Sequence, residues 1–170
     1  MEYRPLSLRH TDLISVRSVR MLGGVVLATL LIYFWSMTSM LAAPVFEKQP
    51  LAFLISSGSH QITVEIADTT HKRSVGLMFR RSLGEDEGMI FVHDTSGPVG
   101  MWMKNTYISL DMFFVRADGV IHRIEKNTQP FSEANIGSEG DVLAVIEMIA
   151  GSADRLGIKP GDKVDYPAFE

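Results

Sequence analysis

The sequence predicts an α+β domain, mostly antiparallel β, in which a small curled sheet or barrel carries two short helices. Three observations lead there: strict apolar alternation over residues 60–67, a hairpin signal at Ala117-Asp118-Gly119 between two apolar runs, and only two places where capping residues open a helix-length segment. Six or seven short strands with turn chemistry between them favour a sheet that curls or folds over itself.

The elements follow in chain order. Over residues 60–67, Ile62, Val64 and Ile66 share one face, because successive side chains of an extended chain point to opposite sides. Asp68, Thr69 and Thr70 then offer side-chain oxygens to the unpaired amides of a first helical turn, and Gly76 stands near the end of a helix running to about Leu77. Residues 89–93 and 99–104 read as two further strands, parted by the turn-like Thr95-Ser96-Gly97-Pro98. Residues 111–116 and 120–125 form the clearest hairpin, Gly119 supplying the positive φ of a tight reversal. The polar stretch 126–140 predicts a long surface loop, and the nearly continuous apolar stretch 142–149, with Glu147 inside it, a central strand. Ser152 caps a second short helix that Gly157 ends, and Lys159-Pro160-Gly161-Asp162 turns the chain into a last strand at 163–166.

Residues 1–43 read as a signal peptide or an N-terminal membrane anchor. Arg4, Arg9, Arg17 and Arg20 precede an apolar run at 21–41, about the ~20 residues that a helix needs to cross a bilayer. A buried helix of a soluble protein would show a polar face, and this run shows none. The arginine asymmetry places the N-terminus in the cytoplasm and the rest in the periplasm or another extracytoplasmic space. A cleaved signal and an anchor retained in the inner membrane both fit: Leu41-Ala42-Ala43 offers small residues, but Leu41 is bulky and Pro44 follows directly. Residues 44–58, with two prolines and no sustained periodicity, read as a tether to a domain at 59–170.

A net charge of −4 from acids and bases mixed along 170 residues leaves no basic stripe to track a phosphate backbone, so nucleic acid is not an expected partner. The absence of cysteine excludes disulfides, thiolate catalysis and cysteine-built zinc sites. Neither a Gly-x-Ser-x-Gly elbow nor a His-Glu-x-x-His helix occurs, and Gly137-Ser138-Glu139-Gly140 lacks the lysine of a phosphate loop. No cofactor is expected.

Four ordered blocks stand out: Arg73-Ser74-Val75-Gly76-Leu77-Met78-Phe79-Arg80, Gly88-Met89-Ile90-Phe91, Trp102-Met103-Lys104-Asn105-Thr106 and Leu110-Asp111-Met112-Phe113-Phe114. Together they resemble the family called domain of unknown function 192, over most of residues 62–164. The resemblance implies a compact β-rich fold in a family with many exported members, and implies no activity, cofactor or catalytic residue. Ser109 replaces the family's usual proline, and Ile149 a common asparagine near Glu147.

Arg73, Arg80, Trp102, Lys104, Asn105, Asp111 and Glu147 are the candidate ligand-binding residues. Lys104, Asn105, Asp111 and Glu147 lie in or at the ends of apolar strands, where a polar group needs a partner, and Arg73 and Arg80 flank the first helix as countercharges. Strand alternation puts Trp102 and Lys104 on one face and Met101, Met103 and Asn105 on the other. Three readings follow. The first is an envelope module binding a small molecule or protein partner on residues 102–106 and the 126–140 loop. The second is an enzyme with Asp111 or Glu147 as general base and Lys104 or Arg73 stabilising negative charge. The third is a Cu(I) or Ag(I) site built from His93, Met101 and Met103. Binding is favoured, because no nucleophile or positioned histidine can be named.

Overall fold

The computed structural model describes residues 43–169. Seven strands form one sheet: β1 (Lys48–Ile55), β2 (Gly58–Ala67), β3 (Glu87–Met101), β4 (Leu110–Val115), β5 (Ile121–Glu125), β6 (Ile136–Ile149) and β7 (Lys163–Asp165). Two short helices, α1 (Thr70–Val75) and α2 (Ser152–Leu156), accompany them. The sheet order is β5-β4-β6-β3-β2-β1-β7, and every pairing is antiparallel except β2 with β3, which α1 connects. The sheet curls until its outer strands approach each other, where Val120 bridges Lys163 and the Val164 amide donates to the Gly119 carbonyl at 2.8 Å. This mixed half-barrel with two short helices is the α+β fold that the sequence predicts.

The apolar run at 21–41, and with it the signal or anchor reading, lies outside the described residues. Among the described residues no helix is long and apolar enough to cross a membrane.

Four local expectations are corrected. The stretch read as a tether contains β1, which pairs with β2 and β7 and buries Leu51 and Phe53. Pro50 is tolerated there for a geometric reason: its partner Thr63 donates its amide away from β1, to the Asp86 carbonyl, so the Pro50 nitrogen faces the β7 side, where β7 covers only Ala52 to Leu54. Residues 89–93 and 99–101 belong to one strand, β3, which ends at Met101, so that the strand alternation expected for residues 102–105 does not hold, and the expected turn between the two stretches is a bulge. Between the Val92–Ala144 and Gly97–Val142 pairs, four residues of β3 lie against one of β6. The long loop stops at residue 135, because Ile136 pairs with Met101. Finally, Ser152 is the first residue of α2, its hydroxyl unpartnered, behind the left-handed Gly151.

Both faces of the sheet are apolar. The inner face, within the curl, gathers Leu51, Phe53, Ile90, Phe113, Ile146 and Val164. The outer face gathers Met89, Phe91, Met112, Phe114 and Val145 under Leu77 and Met103. Burial of this kind is worth roughly 25 cal/mol per Å² of apolar surface removed from water. Any polar side chain on the strand faces inside these layers therefore needs a reason to be there.

Candidate functional site

A cavity of about 250 Å³ opens on the outer face, between the end of α1 and the second half of β3. Its walls are built by local chemistry. Thr69 caps α1 by accepting the Lys72 amide at 3.2 Å, and Gly76 ends the helix at φ +48. A side chain at Gly76 would stand 3.0 Å from the Phe91 ring, so glycine lets the helix terminate directly on the cavity's apolar wall. Arg73 ties the two walls together, Nη1 donating to the carbonyls of Asp68 and Val92 at 2.8 Å each.

Glu147 forms part of the lining from inside the sheet. Its register partners are Met89 on β3 and Met112 on β4, both buried in the outer-face layer. Burial, unrelieved by any hydrogen bond or countercharge among the described residues, pushes its pKa up to about 8. At neutral pH it is therefore an uncharged acid that can donate a proton in a hydrogen bond. His93, at the start of the β3 bulge, lines the same cavity with Nε2 buried and without a partner among the described residues. Burial, and then the Arg73 cation, hold the His93 pKa below its ordinary value, with Asp94 opposing.

Lys104 stands at the mouth, its ammonium 5.4 Å from the centre of the Trp102 ring and 3.5 Å from the exposed Glu133 carboxylate. The cavity thus combines apolar walls from Leu77, Phe91, Val99 and Met101, two cations, and an uncharged carboxyl and imidazole. That set suits an anion with an apolar body.

Of the candidate residues, Arg73, Trp102, Lys104 and Glu147 meet at this cavity. Asp111 does not. It lies on the opposite, inner face, beside Phe113 and paired with Met148, and both carboxylate oxygens are taken by backbone: Oδ1 accepts the Asn127 amide and Oδ2 the Ala153 amide, each at 2.9 Å. Arg80 is spent on a bidentate ion pair with the largely buried Glu65. Asn105 turns with φ +53 and supports the wall from behind, its carbonyl accepting the Phe79 amide at 2.9 Å and its Nδ2 lying 3.9 Å from the Met78 sulfur.

The methionine set is divided. Met101 lines the cavity with His93, whereas Met103 is fully buried and its sulfur accepts the Thr128 hydroxyl at 3.2 Å. Sequence reasoning missed the wall from Gly76 to Met78 and the place of His93 on the cavity that Glu147 also lines. Only the bulge, which re-aims His93, brings it there, and its sole trace in the sequence is the Ser96-Gly97-Pro98 run.

Comparison with known proteins places this architecture. A family model described as DUF192, uncharacterized ACR, matches residues 53–166. A solved protein of Sinorhizobium meliloti 1021, provisionally described as a transcription regulator, is 41% identical, covering 75% of this chain and 99% of its own, with a TM-score of 0.72. A solved protein of unknown function from Novosphingobium aromaticivorans DSM 12444 is 40% identical, covering 74% of this chain and 94% of its own, with a TM-score of 0.69. No curated protein matches. The aligned core from Phe53 to Tyr166, in sequence and in fold, makes this chain a member of the DUF192 family.

Proposed function

We propose that the domain is a ligand-binding module of the cell envelope, whose outer-face cavity takes a small amphipathic anion with its apolar body against Leu77, Phe91 and Met101 and its charged end toward Glu147 and Lys104. The observation that carries this reading is Glu147: a carboxyl buried between methionines, without a partner among the described residues, with a pKa of about 8, lining an open cavity. A protein gains no stability from such a group, so its presence is accounted for by what it meets there. The envelope setting is supported by the arginine-flanked apolar run at 21–41. The provisional description of the Sinorhizobium relative suggests transcriptional regulation, against which stand the net charge of −4 and the lack of a basic stripe.

A second reading is favoured by one observation. Glu147 and His93 border the same cavity, burial holding the carboxyl protonated and the imidazole neutral, so that a proton donor and a proton acceptor face one space. In that case the bound anion is turned over.

Isothermal titration of the full chain with octanoate, benzoate and octylamine tests the proposal. Saturable binding of a carboxylate, weakened by Glu147→Gln and absent for the amine, is the expected result; amine and carboxylate binding alike, or neither binding, overturns it. Mass spectrometry of the recovered ligand separates binding from turnover. A reporter fused after Glu170 tests the compartment separately, and a cytosolic reporter removes the envelope from the reading.

A further inference from the structure

Beside the cavity mouth the chain presents an aromatic surface that its own core does not use. Phe79, Phe131 and Tyr107 are 61%, 57% and 37% exposed, and Trp102 is 49% exposed. The Tyr107 ring joins the other two, with centroids 6.4 Å from Phe79 and 5.1 Å from Phe131. Among the described residues only two other large apolar side chains stand exposed, Val45 and Leu54; Phe79, Tyr107 and Phe131 form one cluster, and Trp102 lines the cavity together with Met78 and Thr106, the chain neighbours of Phe79 and Tyr107.

The backbone holds them there at a cost. Phe79 has φ +64 and Phe131 φ +63, a left-handed conformation that bulky side chains rarely adopt, and Asn105 between them has φ +53. Three hydrogen bonds fix the loops in that form: Phe79 amide to Asn105 carbonyl at 2.9 Å, Phe131 amide to Thr106 carbonyl at 3.2 Å, and Met103 amide to Ser132 carbonyl at 2.9 Å. The two strained positions carry phenyl rings that stand more than half exposed.

Cations border the rings. The Arg81 guanidinium lies 5.3 Å from the Tyr107 ring centre, and Lys104 rides on Trp102, its one ion-pair partner among the described residues being the exposed Glu133. Arg80, the next cation, is already paired with Glu65, and its guanidinium lies 5.8 Å from the Phe46 ring. Phe46 stands five residues after Leu41, where the apolar run ends, and five extended residues span at most ~17 Å. Tryptophan, tyrosine and phenylalanine with interspersed lysine and arginine are the side chains that settle at the headgroup level of a bilayer.

We infer that the surface formed by Phe79, Trp102, Tyr107 and Phe131, with Arg81 and Lys104, docks on a bilayer bearing anionic headgroups and turns the cavity mouth toward it. The inference rests on the reading of residues 21–41 as a membrane segment or export signal. Trp102 is the built-in reporter once Trp35 is replaced by phenylalanine. The full chain is mixed with phosphatidylglycerol-containing vesicles whose acyl chains carry bromine, and the emission of Trp102 is measured beside flotation of the protein.

Quenching with a blue shift is expected. Replacing both phenylalanines (Phe79→Gly with Phe131→Gly) removes the rings and suits the left-handed backbone, so the melting temperature holds or rises while quenching is lost. Protein that floats with Trp102 unquenched overturns the docking surface and leaves the membrane segment standing; protein that does not float overturns both. Equal quenching in purely zwitterionic vesicles overturns the role of Arg81 and Lys104. A dimer in sedimentation that the double variant converts to monomer, with Trp102 unquenched, makes the surface a self-association face instead.

Discussion

Asp111 on β4 accepts the amide of Ala153 at 2.9 Å, so the first turn of α2 is capped by a carboxylate 42 residues earlier in the chain. Its other oxygen accepts the Asn127 amide at 2.9 Å, which joins the exit of β5 to the same point. Three distant segments meet on one buried side chain. Asp111→Ala leaves two amides without acceptors and is expected to cost about 2–4 kcal/mol. Asp111→Asn, which keeps one acceptor oxygen, costs about half as much. Urea unfolding at constant m-value checks both, and carboxylate binding to the folded variants is unchanged, because Asp111 faces away from the cavity.

Glu147 makes the fold pH-sensitive in a calculable direction. Its ordinary pKa is 4.5 and its folded value about 8, so between these the unfolded chain has released a proton that the folded chain still holds. Unfolding is then favoured progressively as pH rises from about 4.5 to about 8, by about 5 kcal/mol in all at 1.36 kcal/mol per unit, and the loss levels off above. Glu147→Gln, which cannot ionise, is expected to flatten this slope and to be the more stable protein at pH 8. Denaturant midpoints across that range decide it; parallel profiles would contradict the burial of an ionisable group here.

How far the sequence revealed this arrangement depended on whether the controlling interaction was local. The β4–β5 hairpin was legible because Gly119, at φ +76, must be free of a side chain: a methyl group would stand 2.8 Å from the Val164 carbonyl. Helix α1 was legible because Thr69 caps it within one turn. The cap of α2 was not, since Asp111 comes from another strand and leaves Ser152 idle. β1 was hidden by Pro50, whose missing amide matters only if the neighbouring strand reaches it, and β7 does not. At the site, apolar context singled out Glu147 and Asp111 alike. Pleat parity then sent them to opposite faces, a consequence of register that alternation within one strand cannot give.

Gly119→Ala is expected to destabilise the domain by roughly 2 kcal/mol or more, combining the left-handed conformation with the backbone contact at Val164. Gly97→Ala is the matched control: nothing lies within 4 Å of the new methyl group, and the change should stay within about 0.5 kcal/mol. Thermal unfolding of the two variants side by side provides the comparison.

Arg80 and Glu65 form a coupled pair. Glu65 is only 13% exposed in its side chain, and Lys48, at 4.0 Å, replaces Arg80 poorly. Arg80→Met is therefore expected to cost about 1–3 kcal/mol, and much of that loss should vanish when Glu65 is also changed to glutamine. A double-mutant cycle in urea measures the coupling. Carboxylate affinity should stay the same throughout, since neither residue lines the cavity.

The affinity for a carboxylate should itself depend on Glu147. Below about pH 8 its carboxyl is protonated and can donate to an incoming anion; above that it is a buried like charge. Octanoate affinity is expected to be level through neutrality and then to fall about tenfold per pH unit above about 8, since binding takes up the proton that the free protein has lost. Glu147→Gln should bind more weakly near neutrality and lose this upper slope. The lowered His93 pKa adds a separate feature on the acid side, where protonation brings a positive charge to the cavity and tightens binding. A wild-type profile without the upper break would show that the anion is held by Lys104 and Arg73 alone.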